Sequence, residues 1–348
     1  MPSPASTAGK PGSSANAVPL PSTPQRRDPT LGSMSPAARK RLAALAVPVV
    51  LAALFLRTFT ASPLPALPPL PSPLPPASPP PEMALYQLPT GVTHRSAAFA
   101  YRGGAFREAR DFSMTAALVK HPKGDLLIDT GFGRHIDAQV QLMPWLFRLG
   151  TSYTRFRPAS EQLDQSGYDR KSLRGIILTH AHWDHTSGLP DFPETPVLVT
   201  PEERRFVTEG GDLTVVARSA KDARYEEYAF EGGPYLGFPK SHDVHGDGAI
   251  VIVPAPGHTP GSVIVFVTLP GGKRHAFVGD LAWQREGITE REERPWLQRT
   301  LADVDPEAVR GGLVHMAAIA TRYPELSLIP AHDARGFAEL PTWPPSKR

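Results

Sequence analysis

The chain has 348 residues, of which 41 are proline and none is cysteine, and 41% of them are hydrophobic. The lack of cysteine excludes disulfides, thiolate metal ligands, a cysteine nucleophile and a cysteine-linked lipid anchor, and the length leaves room for one large domain or two small ones. The net charge of +3 is unevenly distributed: residues 1–61 carry seven Lys and Arg against one Asp, a balance of +6, so the remainder sums to −3, which argues against a nucleic-acid partner.

Residues 1–38 are rich in Pro, Ser, Ala and Gly and show no apolar periodicity, which predicts a disordered leader. Residues 39–61 open with a basic triplet and continue with an apolar run of 15 residues, 42–56. That run is shorter than the ~20 residues that span a bilayer but suits a signal peptide. No clear cleavage signal follows, so both a signal peptide and a single N-terminal membrane anchor stay open, and a start at Met34 would give a conventional export signal. We therefore expect a periplasmic, secreted or membrane-anchored protein.

Residues 62–81 are dominated by proline, with eleven prolines in the nineteen residues from Pro63 to Pro81. This composition predicts an extended polyproline II linker of about 3.1 Å per residue, or roughly 60 Å in all. Such a linker would hold a domain away from a membrane or a cell-wall layer.

Residues 82–348 are predicted to form one folded domain in which strands and helices alternate. Short apolar runs rich in β-branched residues indicate strands at 115–119, 126–128, 175–178, 197–199, 249–253, 263–267, 275–278 and 326–329. Helices are predicted at 142–149, 201–209 and 306–323, the last with Asp303 or Asp305 as its N-terminal cap. This alternation indicates a layered α/β domain.

One predicted strand, 175–178, runs directly into a cluster of side chains that bind metals. His180, His182, Asp184 and His185 lie within six consecutive positions. A loop at the end of a buried strand is a rigidly supported place for a site. Because residues two apart can chelate one ion while the next pair points elsewhere, the spacing indicates two adjacent metal sites.

The segment 179–188 resembles the signature of the metallo-β-lactamase superfamily, and four further motifs resemble those of the family in the same order. They are the strand and Asp-Thr-Gly turn at 126–131, the Pro-Gly-His-Thr-Pro-Gly turn within 255–262, the strand ending in Gly-Asp at 277–280 and the last metal histidine within 329–333. Five motifs in the family's order over nearly all of 82–348 make the resemblance specific.

The resemblance implies an α/β fold, the αβ/βα four-layer sandwich, with two mixed β-sheets face to face, helices outside and a metal site at the edge between the sheets. It implies these ligands: His180, His182 and His258 for a first metal, Asp184, His185 and His332 for a second, and Asp280 bridging both. It also implies that Asp129 orients the histidine loop. Two divalent ions suit this set, with Zn²⁺ expected and Mn, Fe or Co as alternatives.

Two divalent ions about 3.5–4 Å apart lower the pKa of bound water, so that a bridging hydroxide can attack an electrophilic carbonyl or phosphorus. Asp184 and Asp280 are the expected catalytic residues, since Asp184 can deliver a proton to the leaving group and Asp280 bridges the ions. We therefore expect a dinuclear metal hydrolase that acts on a lactone or a related ester.

Within the family, the turn and the overall spacing resemble most the N-acyl homoserine lactonases, the quorum-quenching branch, which implies a small-molecule ester or lactone as substrate. Trp283 departs from that branch, which usually carries a Tyr three residues after the bridging Asp. A Trp donates an N–H but cannot act as an acid, which leaves homoserine-lactone specificity unassigned. A glyoxalase-II-like thioesterase, a phosphodiesterase and a metal-binding, non-catalytic module are the alternatives.

A second polar cluster, formed by His242, Asp243, His245 and Asp247, is predicted to make a turn before the strand 249–253 rather than a third metal site. Five further histidines have no ligand partner that the sequence identifies. They are His94, His121, His135, His275 and His315.

Overall fold

The computed structural model describes residues 35–68, 70 and 73–345, apart from the side chain of Ala43. Met34 and the predicted leader up to that residue therefore lie outside the described residues. The chain divides after Ala52 into two units, and the second unit contains both β-sheets.

Helix α1 (Pro36–Arg57) covers the basic triplet and the whole of the predicted apolar run. Alanine and leucine, which have high helix propensity, make up much of this segment. Among the residues that the structure describes, no helix is both long enough and apolar enough to cross a membrane. The membrane-anchor alternative thus finds no support in α1, and the signal-peptide alternative stays a prediction.

The described residues of 62–80, here called the strap, lie against the domain. Leu64, Leu70 and Leu74 pack on its apolar core. Leu64 also exchanges two hydrogen bonds with Arg291, and the Arg274 side chain donates to a strap carbonyl. The expectation that this segment holds the domain at a distance is therefore wrong, because leucines between the prolines bury apolar surface and the proline-rich backbone offers free carbonyls.

In the described part of the chain, seven strands form a first, mixed sheet in the order β4-β1-β2-β3-β5-β6-β7. The long strands β1 and β2 pair antiparallel, whereas β3, β5, β6 and β7 run parallel to one another. The strands are β1 (Ala84–Ser96), β2 (Ala109–Lys120), β3 (Asp125–Ile128), β4 (Thr154–Arg155), β5 (Leu173–Ile177), β6 (Val197–Val199) and β7 (Tyr225–Glu227).

The second sheet, counted over the same described residues, has five strands in the order β12-β11-β10-β9-β8. It is antiparallel except for the pair β11 and β12, which is parallel. Its strands are β8 (His242–Asp243), β9 (Ile250–Pro254), β10 (Val263–Thr268), β11 (Arg274–Gly279) and β12 (Ser327–Pro330).

Helices cover the outer faces of both sheets, and a shared core lies between the sheets. Ile177 of the first sheet and Val265 of the second belong to that inner core. Leu163 packs on the outside of the first sheet and Leu313 on the outside of the second. The helices are α2 (Ile136–Val140), α3 (Trp145–Gly150), α4 (Ala159–Gln165), α5 (Trp183–Thr186), α6 (Pro201–Glu209), α7 (Val215–Ser219), α8 (Glu286–Thr289), α9 (Trp296–Ala302), α10 (Pro306–Arg322) and α11 (Ala334–Phe337). This is the expected αβ/βα sandwich.

All eight predicted strands are present, as β2, β3, β5, β6 and β9–β12, and the predicted helices at 201–209 and 306–323 are α6 and α10. The helix predicted at 142–149 is only the shorter α3. Strand β1 was missed because Pro89 and Gly91, which disfavour strands, lie in its middle, at the position of a β-bulge. The short edge strands β4, β7 and β8 were not predicted either, because they have only two or three residues each.

Candidate metal centre

The candidate metal centre lies where strands of both sheets end at a common edge. A hydrogen bond of 3.0 Å from the Val263 N–H to the Thr179 carbonyl joins the two sheets there. The loop after β5, the turn between β9 and β10, and the ends of β11 and β12 each contribute ligand-type side chains. Residues far apart in sequence therefore meet on rigid elements.

The structure brings all seven predicted ligands together. In the described part of the chain they form two buried groups, His180, His182, His258 and Asp280 in the first and Asp184, His185 and His332 in the second. Within each group the candidate ligand atoms lie within 4.8 Å of one another. Asp280 also reaches the second group, since its Oδ1 lies 3.1 Å from Nε2 of His332 and 3.5 Å from Nε2 of His185. Its carboxylate lies between the groups, where a bridging ligand is needed.

Most of the ligand atoms are buried without a partner. Nε2 of His180, His182, His185 and His258 and Oδ1 of Asp280 make no hydrogen bond with any described residue. Because one unpaired buried polar atom costs about 1–3 kcal/mol, five at one place call for an occupant. Imidazole nitrogens and carboxylate oxygens are ligands that divalent metals such as zinc accept, so the residues present fit a pair of metal ions.

Hydrogen bonds to Nδ1 hold several of these imidazole rings. Nδ1 of His185 lies 2.8 Å from Asp129, Nδ1 of His258 lies 2.8 Å from Asp303, and Nδ1 of His332 lies 3.0 Å from a backbone carbonyl of β2. A proton kept on Nδ1 leaves the lone pair of Nε2 available for a metal. The orientation of the rings is therefore fixed by this chain's own residues.

Asp129, expected to orient the histidine loop, makes the contacts that such a residue needs. It follows β3 with a φ of 54°, a conformation that Asp tolerates better than most residues. Oδ1 accepts from the Thr179 N–H and Oδ2 from the Thr179 hydroxyl, both at 2.8 Å, and Oδ2 also contacts His185. The carboxylate thus fastens both the start and the end of the loop.

Glu203 of α6, which the sequence analysis did not single out, connects two ligand-bearing loops. One carboxylate oxygen accepts from the Ala181 N–H, between His180 and His182. The other accepts from the Thr259 hydroxyl at 2.7 Å and the Gly261 N–H at 3.0 Å, next to His258. Glu203 is almost fully buried, and burial raises its pKa although these hydrogen bonds act in the opposite direction.

The sequence around Glu203 matches a common pattern for the start of a helix, so its long-range role was not predicted. The residues from Thr200 to Glu203 match the capping box, in which a Glu returns to the cap residue. Thr200 does cap α6 by accepting from the Glu203 N–H, but the Glu203 carboxylate turns to the two loops. Glu203 thus stands at a capping position of α6, but its carboxylate connects two distant loops.

Of the two predicted cap residues, Asp305 caps α10 and Asp303 contacts His258. The buried Arg294 pairs with the Asp303 carboxylate and also donates to the Asp280 carbonyl at 2.7 Å. One guanidinium therefore links the loops that carry His258 and Asp280. Arg294 lies in the charged segment 284–297 that follows the candidate ligand Asp280.

Trp283 forms part of the wall of the centre. Its indole Nε1 donates to Oδ2 of Asp280 at 2.8 Å. The Arg294 guanidinium lies 4.9 Å from the centre of its ring, and the Phe112 ring lies 5.9 Å away. The indole is therefore directed at a candidate ligand and held by a cation and an aromatic ring.

The pKa shifts of the candidate ligands run in both directions. Burial is the main cause that lowers the pKa of His180 and of His182 well below the ordinary value, and neighbouring histidines add to it. Burial acts in the same direction on His185, His258 and His332, but neighbouring carboxylates raise their pKa values above the ordinary one. Burial alone would raise the pKa of Asp280, but His332 and other histidines hold it well below its usual range. Neutral imidazoles and an ionised carboxylate are the forms that coordinate metals.

The second polar cluster forms a turn, as predicted, because Asp243 accepts from the N–H groups of Gly246 and Gly248. Where the structure describes the chain, the groups able to hold a metal are the two of the centre. The remaining histidines lie outside both groups. They are His94, His121, His135, His275 and His315.

Comparison with known proteins places this centre in a family. The model described as the metallo-beta-lactamase superfamily matches residues 110–321, more than half of the chain. A probable metallo-hydrolase of Mycobacterium tuberculosis is 30% identical over 228 residues, which is 62% of this chain and 73% of that protein. N-acyl homoserine lactonase AttM of Rhizobium radiobacter is 25% identical over 150 residues, 41% of this chain and 54% of the lactonase.

A solved structure has the same fold. The structure of an N-acyl homoserine lactone hydrolase with N-hexanoyl-L-homoserine at its catalytic metal centre matches with a TM-score of 0.59 at 17% identity, over 75% of this chain and 97% of that chain. The family match, the two sheets and the two groups of His and Asp agree with one another. The chain belongs to the metallo-β-lactamase superfamily and is a metal-dependent hydrolase.

Proposed function

We propose that this hydrolase holds two zinc ions and cleaves a lactone or a related carboxylic ester. The observation that carries the proposal is the pair of ligand groups joined by Asp280, with five buried ligand atoms that have no partner among the described residues. When bound, two such ions activate water and polarise a carbonyl oxygen. The ligands are all His and Asp, which zinc accepts.

The chain's own residues supply position and proton transfer. His180, His182 and His258 would hold one ion, and Asp184, His185 and His332 the other, with Asp280 shared. Asp184 has Oδ2 at 3.4 Å from Nε2 of His332, and we assign a proton relay to its carboxylate: it takes the proton that the attacking water loses and gives it to the leaving alkoxide. The overall reaction adds one water across the ester bond and gives an acid and an alcohol.

Support for a lactone or ester comes from named relatives. AttM is called an N-acyl homoserine lactonase, and the matching structure holds an N-acyl homoserine product. The Trp283 N–H is engaged by Asp280, so that side chain gives no reason to assign a homoserine lactone ring. We therefore propose the ester class and leave the ring open.

The test is a substrate panel on the zinc-loaded full chain. It includes acyl homoserine lactones, δ-lactones, aryl esters, S-lactoylglutathione, a cephalosporin and a phosphodiester. We expect turnover of a lactone or aryl ester that is lost in Asp280→Asn. Asp111→Asn, at an exposed carboxylate that contacts His94, is the matched control and should retain activity.

Other outcomes select the alternatives. Turnover of S-lactoylglutathione alone would assign a thioesterase, and turnover of the phosphodiester alone a phosphodiesterase. No turnover of any substrate at full metal occupancy would overturn the proposal in favour of a metal-binding, non-catalytic module.

A further inference from the structure

Large apolar side chains gather on the surface of the second unit at one place, here called the apolar rim. It consists of Phe55, Phe99, Phe106, Trp296 and Leu297. The exposed fraction is 55% for Phe106 and 52% for Trp296, and the other three are also exposed. Clusters of exposed apolar side chains on a folded protein commonly mark a surface that binds a partner.

Contacts through the buried Phe59 join the three phenylalanines of the rim. The Phe59 ring lies 5.5 Å from that of Phe55, 5.9 Å from that of Phe99 and 4.9 Å from that of Phe106. The hydroxyl oxygen of the neighbouring Thr58 accepts a hydrogen bond from the backbone N–H of Trp296, which connects this region to the start of α9. The rim therefore joins the end of α1, the loop after β1 and the start of α9.

Helix α9 presents an apolar face without a partner in the described structure. None of its seven residues is buried. Leu301 is exposed, as are the rim residues Trp296 and Leu297. A short helix gains most of its stability from packing an apolar face, so we expect a binding partner to pack on the apolar face of α9.

The kind of partner follows from α1, whose last turn carries the rim residue Phe55. With about 100° per residue, the exposed apolar side chains of α1 surround its whole circumference. A helix that is apolar all round suits a lipid environment, whereas one protein surface covers only one face. The apolar residues are Leu42, Leu45, Val47, Val49, Val50, Leu51, Leu54, Phe55 and Leu56.

Charge favours one kind of lipid surface. Arg57 at the end of α1 and Arg107 beside Phe106 are both exposed. Basic residues next to apolar ones suit anionic headgroups, with Trp, Phe and Leu in the boundary below them. The geometry points to the surface of an anionic lipid bilayer as the partner of the apolar rim, a contact that needs no membrane-spanning helix.

The test is flotation of the full chain with vesicles of phosphatidylcholine, with or without phosphatidylglycerol. We expect binding that is stronger with phosphatidylglycerol. The variant Phe106→Gln/Trp296→Gln/Leu297→Gln should lower the partition coefficient by at least about tenfold. If the triple variant folds poorly, the single variant Trp296→Gln replaces it, with a smaller expected loss of binding. The control is Phe156→Gln, at an exposed aromatic residue outside the rim, which should bind like the wild type.

Three results would overturn the proposal. The first is a wild-type chain that does not float with either vesicle, and the second is a triple variant that floats as the wild type does. The third is a dimer in sedimentation that the triple variant abolishes, because the rim would then join two copies of this chain. None of these readouts depends on hydrolysis, so the result is independent of the proposed function.

Discussion

The indole Nε1 of Trp283 donates a hydrogen bond of 2.8 Å to Oδ2 of Asp280, the carboxylate that lies between the two ligand groups. The side chain three residues after this aspartate thus acts on the candidate ligand itself. A hydrogen bond of this kind fixes the orientation of a ligating carboxylate.

Removing that hydrogen bond should weaken metal binding. We expect Trp283→Phe to lower zinc affinity about tenfold, because the partner of a ligand typically contributes about 10–100-fold. The measurement is competition with a chromophoric chelator. Trp343→Phe is the control, since its indole N–H donates to Ser166 outside the centre. Equal zinc affinities for Trp283→Phe and the wild type would show that the contact has no such role.

Glu203 should stabilise the fold and the centre together. In Glu203→Gln, the amide NH₂ would face N–H or O–H donors that the carboxylate now satisfies. Loss of such hydrogen bonds should lower the free energy of unfolding by about 2–4 kcal/mol. We also expect less bound zinc, because the loops with His182 and His258 lose their common anchor.

Urea denaturation and metal analysis of Glu203→Gln check this. The matched control is Glu202→Gln, the exposed neighbour on the same helix, which should change neither quantity. A Glu203→Gln protein as stable as the Glu202→Gln protein would refute the anchoring role.

His275 should make the fold sensitive to acid. It is buried, both ring nitrogens lack a hydrogen-bond partner among the described residues, and burial lowers its pKa to about 4. The unfolded chain, with a pKa of about 6.5, takes up a proton first. The contribution of His275 to stability is therefore complete above pH 6.5 and is lost as the pH falls towards 4, to a total of about 3 kcal/mol.

The measurement is the free energy of unfolding of the wild type and of His275→Leu between pH 7 and pH 4. The wild type should lose about 3 kcal/mol more than the variant over this range. His135→Leu, at an exposed histidine, should follow the wild type. Parallel curves for the wild type and His275→Leu would contradict the expectation.

The two groups of candidate ligands were predictable because each of these residues stands in a short motif at the end of a strand. The residues that hold them were harder to predict, because their partners are distant in sequence. Asp303 and Asp305 were both candidates for the cap of α10. Asp305 is the cap, and Asp303 contacts His258, 45 positions away. Glu203 had a local explanation in its capping pattern, and its partners became visible only when α6 was placed beside the turn with Thr259.

The same holds for the fold: elements set by their local sequence were predicted, and elements set by distant contacts were not. Strand β10, a run rich in β-branched residues, was predicted within one residue of its ends, whereas β2 begins six residues before its predicted start. Strand β1 was missed, because its pairing with β2 over most of its length outweighs the local cost of Pro89 and Gly91. The strap was mistaken for a spacer, because its leucines find their partners only in the assembled core.

The seven converging side chains should hold two metal ions, and the number of bound ions can be counted. We predict that elemental analysis of the zinc-loaded full chain, after removal of free metal, finds two zinc ions per chain. The His332→Ala variant should retain fewer, because it loses a ligand of the second group. A fully folded wild-type chain that binds no zinc or other divalent metal would show that these side chains do not form a metal centre.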